Sequence, residues 1–197
     1  IRALHEHVLR WETELTQLDD VAASEERVRQ SLPGHRYIHI ATHGYFEPDH
    51  LPSLLRDGAE KMASIDLGEQ IQAVGTLPSL LSGLVFAGVN AAPEPNRDDG
   101  YLSAEEIQHI DLSECDLAVL SACETALGST RAGEGLMSLR RAFEIAGAKT
   151  VVSSLWKIND QTTAKLMTEF YQNYWQKGMS KVEALHQAKL EILRQNR

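Results

Sequence analysis

Residues 117–125, with the sequence LAVLSACET, contain the stretch that decides the fold. Residues 117–122 form a short apolar run without the alternation of a half-exposed strand, which is typical of a parallel strand buried on both faces. Similar runs lie at 37–41, 83–89 and 150–155. Helical patterns separate the runs, and this alternation predicts an α/β fold, a three-layer α/β/α sandwich around a mostly parallel sheet.

Helix signals lie between and beyond the predicted strands. Ser24, Ser103 and Ser180 each precede acidic residues, which is the pattern of a capped first helical turn. Residues 4–15 also repeat apolar side chains at helical spacing. Residues 45–82, in contrast, are polar and show no clear strand, and a loop of that length is usually functional or mobile.

Composition excludes several classes of protein. The net charge of −9 disfavours nucleic acid as a partner, because a phosphate-binding face needs a basic stripe. No apolar run approaches the roughly 18 residues of a membrane span, and no signal-peptide pattern opens the chain. The two cysteines are too few for a disulfide framework, which favours free thiols and a cytoplasmic location. We expect a single domain over residues 1–197, truncated at its N-terminus because Ile1 lies inside a helical pattern.

Two predicted strand ends carry side chains suited to nucleophilic catalysis. One strand leads into His43 and Gly44, and another leads into Cys123. Ligands of open parallel sheets bind at the carboxyl ends of the strands. A free thiol has a pKa of about 8.5 and needs a neighbouring base to become a nucleophile at neutral pH. If the two strands are neighbours, His43 activates Cys123, and the N–H groups of Gly44 and Cys123 form an oxyanion hole.

The spacing alone leaves plainer interpretations open. A cysteine after an apolar strand is more often a small core residue, and a His-Gly pair is as often a simple turn. Cys115 lies at the entrance of a strand, the wrong end of the sheet, and we interpret it as structural. His39 and His43 lie about 13 Å apart along a strand, too far to bind one metal ion, so we predict no metal and no cofactor.

The sequence resembles the CHAT domain family, bacterial caspase-related domains that are often fused to tetratricopeptide repeats. The resemblance rests on motifs in family order along nearly the whole chain, which are 41–44 (ATHG), 82–88 (SGLVFAG), 102–107 (LSAEEI), 120–128 (LSACETALG), 133–136 (GEGL), 147–152 (GAKTVV) and 154–160 (SLWKIND). It implies a caspase–haemoglobinase-like fold with a first strand upstream of Ile1. Relative to the family, residues 45–82 are a long insertion, which we expect to act as a lid or an activation segment. It also implies a cysteine endopeptidase of clan CD whose catalytic pair is Cys123 and His43.

The resemblance further implies a protein or peptide substrate, and control by a fused tetratricopeptide-repeat region or by a partner protein. Metacaspases place an aspartate two positions before the catalytic cysteine, but this chain has Ser121 there. Candidate substrate-binding residues are Glu124, Trp156 and Asp160. Glu124 and Asp160 are equally suited to the start of a helix, and Trp156 to a core position.

Two other functions remain open from the sequence. A domain of the same fold could serve only as a catalytically silent protein-interaction module. The same cysteine and histidine could instead support acyl transfer or esterase chemistry. The intact Cys123 and His43 favour the peptidase over the silent module.

Overall fold

The computed structural model describes most of the chain, in the ranges 15–46, 79, 82–90, 98–121, 123–124, 132–154 and 160–195. Side chains are described throughout these ranges except at 46, 123–124, 132–136 and 160. The chain divides into two compact units. The larger is Leu18–Lys157, and the smaller combines Ile1–Gln17 with Ile158–Arg197.

The described strands all belong to the larger unit and form two sheets. They are β1 (Tyr37–Ile40), β2 (His43–Phe46), β3 (Ser82–Val85), β4 (Tyr101–Ser103), β5 (Leu117–Leu120), β6 (Cys123–Glu124) and β7 (Val151–Ser153). The first sheet has the order β1-β5-β7 and is parallel throughout. Parallel pairing of these three strands confirms the prediction made from their unbroken apolar runs.

The second sheet differs from the prediction. Its order is β4-β3-β2-β6, and β3 pairs antiparallel with both β4 and β2, whereas β2 and β6 are parallel. The prediction of parallel pairing was wrong for β3 because an apolar run such as 83–89 does not encode the direction of its partner strands. Tyr45 and Ser82, expected in a stretch without strands, lie in β2 and β3. The rest of that stretch, apart from Phe46 in β2 and Ser79, lies outside the described residues.

Three of the described helices belong to the larger unit. They are α1 (Glu25–Ser31), α2 (Ala104–Gln108) and α3 (Ala132–Ile145), preceded by a 3₁₀ turn at Asp20–Ala22. The Ser24 hydroxyl accepts the N–H of Arg27 at 3.4 Å. Ser103 and Glu106 form a complete capping box, each side chain bonding the other residue's N–H. Both caps confirm the predicted helix starts.

A hydrophobic core joins these helices to both sheets. Its buried side chains come from the three helices and from strands of both sheets, and they include Val28, Ile38, Ile40, Leu84, Leu102, Ile107, Cys115, Ala118, Leu120 and Phe143. Fully burying one large apolar side chain contributes about 1.5–3 kcal/mol. Leu117 and Val119 alternate with Ala118 and Leu120 along β5, yet both are also only 1% exposed. The strand is therefore buried on both faces, as its sequence predicts.

The smaller unit is helical where it is described. α4 (Asp160–Tyr171) continues into a π-helical turn at Gln172–Gln176, and α5 (Lys181–Gln195) follows. The Glu183 carboxylate accepts the hydroxyl of Ser180 at 2.7 Å and its N–H at 3.2 Å, which confirms the predicted cap of α5. None of the described helices has the length and apolarity needed to cross a bilayer. The helix predicted over residues 4–15 lies, except for Leu15, outside the described residues.

A buried carboxylate connects α1 to the segment that enters β4. Glu25 is 2% exposed and accepts the N–H of Gly100 at 2.9 Å. Arg29, one turn later, makes two 3.1 Å bonds to Asp98 and lies 3.8 Å from Glu25. Burial, followed by the neighbouring negative charge of Asp98, raises the pKa of Glu25 to about 7.

The titration of Glu25 should make the free energy of unfolding depend on pH. Replacing its carboxyl group with the neutral amide of glutamine should remove this dependence. Because its pKa is raised from 4.5 to about 7 on folding, the folded protein binds the proton more tightly. The contribution is fully present below pH 4.5 and is lost as the pH rises through 7. We expect wild type to lose about 3 kcal/mol of unfolding free energy across this window relative to Glu25→Gln. Urea titrations at a series of pH values measure this difference, and parallel curves would contradict the expectation.

Gly83 lets β4 approach β3 closely. A Cβ atom at this position would lie 2.4 Å from the Leu102 carbonyl oxygen and 2.8 Å from the Tyr45 ring. We expect Gly83→Ala to lower the unfolding free energy by about 1–3 kcal/mol, since the backbone of β4 must move. Amide hydrogen exchange should accelerate in β3 and β4. The control Gly34→Ala has nothing within 4 Å of its added Cβ, but it strains a backbone whose φ is +77°. It should therefore lower stability without accelerating exchange selectively in β3 and β4, and a selective acceleration in the control would refute the steric account.

Candidate active site

The paired strands β1 and β5 both end at the same position along the sheet. After a short interruption, the two chain segments pair again as β2 and β6 in the same register. Before the break, β1 and β5 pair with Ile40 opposite Leu120. After it, β2 and β6 pair with His43 opposite Cys123. The partners' numbers differ by 80 in each case (120 and 40, 123 and 43), so no residue is gained or lost on either side. The strands that lead to His43 and to Cys123 are therefore neighbours, as the sequence analysis required.

Hydrogen bonds hold the residues within the break. The N–H of Ser121 donates to the carbonyl of Ile40 at 2.8 Å, which extends the pairing of β1 with β5. The Thr42 hydroxyl donates to the carbonyl of Val85 in β3. These bonds fix the segment after β1 and the segment after β5. His43 and Cys123 then begin neighbouring parallel strands, whose backbones lie about 4.8 Å apart.

The second sheet has one core face and one open face. Leu84 and Leu102 lie opposite each other in neighbouring strands and are fully buried. A row here means a set of residues that are paired with one another across the sheet. In the row next to that of Leu84, His43 and Tyr101 both lie opposite Val85, and both are exposed. Because successive residues of a strand alternate between faces, His43 belongs to the open face.

The predicted oxyanion residue Gly44 lies in the row that includes Leu84. It is buried and stands opposite Glu124 in the pairing of β2 with β6. Gly44 and Cys123 are therefore one register step apart on neighbouring strands. Their role as oxyanion donors stays a prediction.

The described structure does not test the predicted substrate-binding residues. Glu124 lies in β6, next to Cys123. Asp160 is the first residue of α4 in the smaller unit, so the helix begins where the sequence predicts it. Trp156 lies outside the described residues. The substrate-binding role of all three stays a prediction.

A polar pair beside the strand break was missed by the sequence analysis. The Nε2 atom of His39 and the Oγ atom of Ser121 lie 3.2 Å apart. Burial lowers the pKa of His39 to about 4, so its ring is neutral at physiological pH. His39 had been considered only as a metal ligand, and among the described residues no cluster of His, Cys, Asp or Glu could hold a metal ion. No local sequence signal marks this pair, because only the pairing of β1 with β5 brings the two residues together.

A comparison with protein families matches residues 6–197 to the CHAT domain. The match covers nearly the whole chain, and the chain belongs to this caspase-like family, as its motifs indicated. A search of curated proteins found no match.

His39 makes stability depend on pH in the direction opposite to Glu25. Its pKa falls from 6.5 to about 4 on folding, so the unfolded chain binds the proton first as the pH drops. Stability should therefore decrease as the pH falls from 6.5 to 4. Relative to His39→Gln, which keeps a group able to bond Ser121, we expect wild type to lose about 3 kcal/mol across this window. Equal losses in both proteins, measured by urea unfolding, would show that the ring titrates normally.

Proposed function

We propose that this chain is a cysteine endopeptidase that cleaves protein substrates through an acyl-enzyme on Cys123, with His43 as its general base. The observation that carries the proposal is the backbone register that sets His43 opposite Cys123 at the start of two neighbouring parallel strands. Membership in a caspase-like family supports it. The exposure of His43 also supports it, because a general base must be reachable by substrate.

The chemistry follows from the two functional groups. The imidazole of His43 takes the proton of the Cys123 thiol, and the thiolate attacks the carbonyl carbon of the scissile bond. The N–H groups of Gly44 and Cys123 would donate to the oxygen that becomes negative, an arrangement that stabilises such intermediates by about 3 kcal/mol. The imidazolium then protonates the leaving amine as the C–N bond breaks, leaving a thioester. Water, deprotonated by the same imidazole, hydrolyses the thioester and restores the thiol.

The proposal extends to the surroundings of the site. A caspase–haemoglobinase fold, with helices on both faces of the sheet, agrees with the parallel arrangement of β1, β5 and β7. Control by a tetratricopeptide-repeat region or a partner protein, in a bacterial cytoplasm, is proposed from the family resemblance. Glu124, Trp156 and Asp160 remain candidate substrate contacts within this proposal.

Removing the thiol tests the proposal directly. We expect Cys123→Ala to reduce peptide cleavage by the full-length protein about a thousandfold or more, because the proposed thioester forms on the Cys123 sulfur. A peptide chloromethyl ketone should label wild type at Cys123 and label His43→Ala much more slowly. Liquid chromatography with mass spectrometry identifies both the cleaved peptides and the labelled residue.

Cys115→Ala provides the matched control. It removes the chain's other thiol, which is buried, and should keep both labelling and cleavage. Cleavage that survives in folded Cys123→Ala would disprove the peptidase proposal. Labelling at Cys123 with acylated products and no hydrolysis would indicate acyl transfer, and a folded wild type with neither activity would indicate an interaction module.

A further inference from the structure

The open face of the second sheet carries a pair of aromatic rings close to His43. Tyr45 follows His43 by two residues on β2, so both side chains project from the same face. The Tyr45 and Tyr101 rings meet edge to face, with centroids 5.3 Å apart and planes at 84°. Tyr101 is 41% exposed, and Tyr45 is partly exposed. The pair therefore offers aromatic surface to a ligand on this face.

Gly83 makes room for the aromatic pair. It lies opposite Tyr45 in β2 and opposite Ser103 in β4. Because a Cβ at this position would come within 2.8 Å of the Tyr45 ring, any other residue here would displace that ring. The ring of Tyr45 therefore lies over β3, the strand between β2 and β4, and reaches the ring of Tyr101 on β4.

The order of residues in the row that contains His43 shows on which side of the candidate site the rings of Tyr45 and Tyr101 lie. Cys123 is the neighbour of His43 on one side, and Val85 is its neighbour on the other. Tyr101 lies beyond Val85 in the same row. With strands about 4.8 Å apart, the Cα atom of Tyr101 lies about 10 Å from that of His43.

Proton transfer in the proposed reaction determines the direction in which a bound peptide crosses the row that contains His43. The scissile carbonyl must lie at the thiol, and the leaving nitrogen must lie at the imidazole that protonates it. The segment after the scissile bond therefore leaves His43 on the side away from Cys123, towards Val85 and Tyr101. An extended peptide advances about 3.3 Å per residue, so its second and third residues after the bond reach this surface.

We propose that Val85, Tyr45 and Tyr101 form a subsite for an apolar or aromatic side chain at the second or third residue after the scissile bond. The inference rests on the peptidase function proposed above and names a substrate feature recognised beside that site. One aliphatic side chain and two aromatic rings favour apolar partners, which they bind through buried area and ring packing. The subsite is continuous with His43 because Val85 is its direct neighbour.

Peptides that vary only after the scissile bond test the subsite. All share one sequence before the bond, and their second and third residues after it are changed among Phe, Leu, Ser and Gly. We expect full-length wild type to prefer Phe or Leu at one of these positions by roughly tenfold in kcat/KM. Tyr101→Ala should remove most of this preference, whereas Tyr101→Phe should retain it because the ring remains. Val85→Thr, equal in shape but carrying a hydroxyl, should also weaken it.

A label without a leaving peptide separates this inference from the peptidase proposal. A peptide chloromethyl ketone releases only chloride, so its rate of reaction at Cys123 should be the same in wild type and all three variants. Labelling and cleavage without any preference after the bond would overturn the subsite alone. A Tyr101→Ala variant that slows Gly and Phe peptides equally would overturn it as well. Absence of both labelling and cleavage would overturn the peptidase proposal and the subsite together.

Discussion

The parallel register between β1 and β5 is the constraint on which the candidate site depends. A slip of one residue would move every side chain of a strand to the other face. Such a slip in β1 would take Ile38 and Ile40 out of the core that they share with Ala118 and Leu120, because the residues between them in β1 are only partly buried. Since each large apolar side chain contributes about 1.5–3 kcal/mol when buried, the core opposes the slip strongly. The position of His43 opposite Cys123 is thus held by burial several residues away.

Charged residues at the other end of the first sheet favour the same register. Asp116, which precedes β5, pairs with the guanidinium of Arg36 before β1 and with the ammonium of Lys149 before β7, the latter at 2.8 Å. Hydrogen bonds from Lys149 and Arg36 lower the pKa of Asp116 to about 2. Exposed pairs of this kind add little net stability. These pairs instead favour the observed alignment of the strands, because a shifted strand would separate the charges. The numbers of Arg36 and Asp116 differ by 80, the same offset that relates His43 to Cys123.

Local signals account for what the sequence could predict. The caps at Ser103 and Ser180, and the buried strand β5, are encoded by residues next to one another, and all three were predicted. The pairing of β3 was predicted wrongly because the direction of a partner strand depends on distant residues. His39 and Ser121 were missed for the same reason, since 82 positions separate them in sequence and only strand pairing brings them together. His43 and Cys123 could be connected in advance because each follows its own apolar run.

The open face of the second sheet follows from the same alternation that builds the core. Burying Leu84 and Leu102 on one face necessarily turns Val85 and Tyr101 to the other, alongside His43. The sequence therefore specifies the core and the surface beside the candidate site with a single pattern, and neither can be shifted alone. Gly83 adds the one feature that alternation does not supply, because the missing side chain lets the Tyr45 ring cross β3 and meet Tyr101. A change that disturbs the packing of this sheet should consequently alter both its stability and the surface that flanks His43.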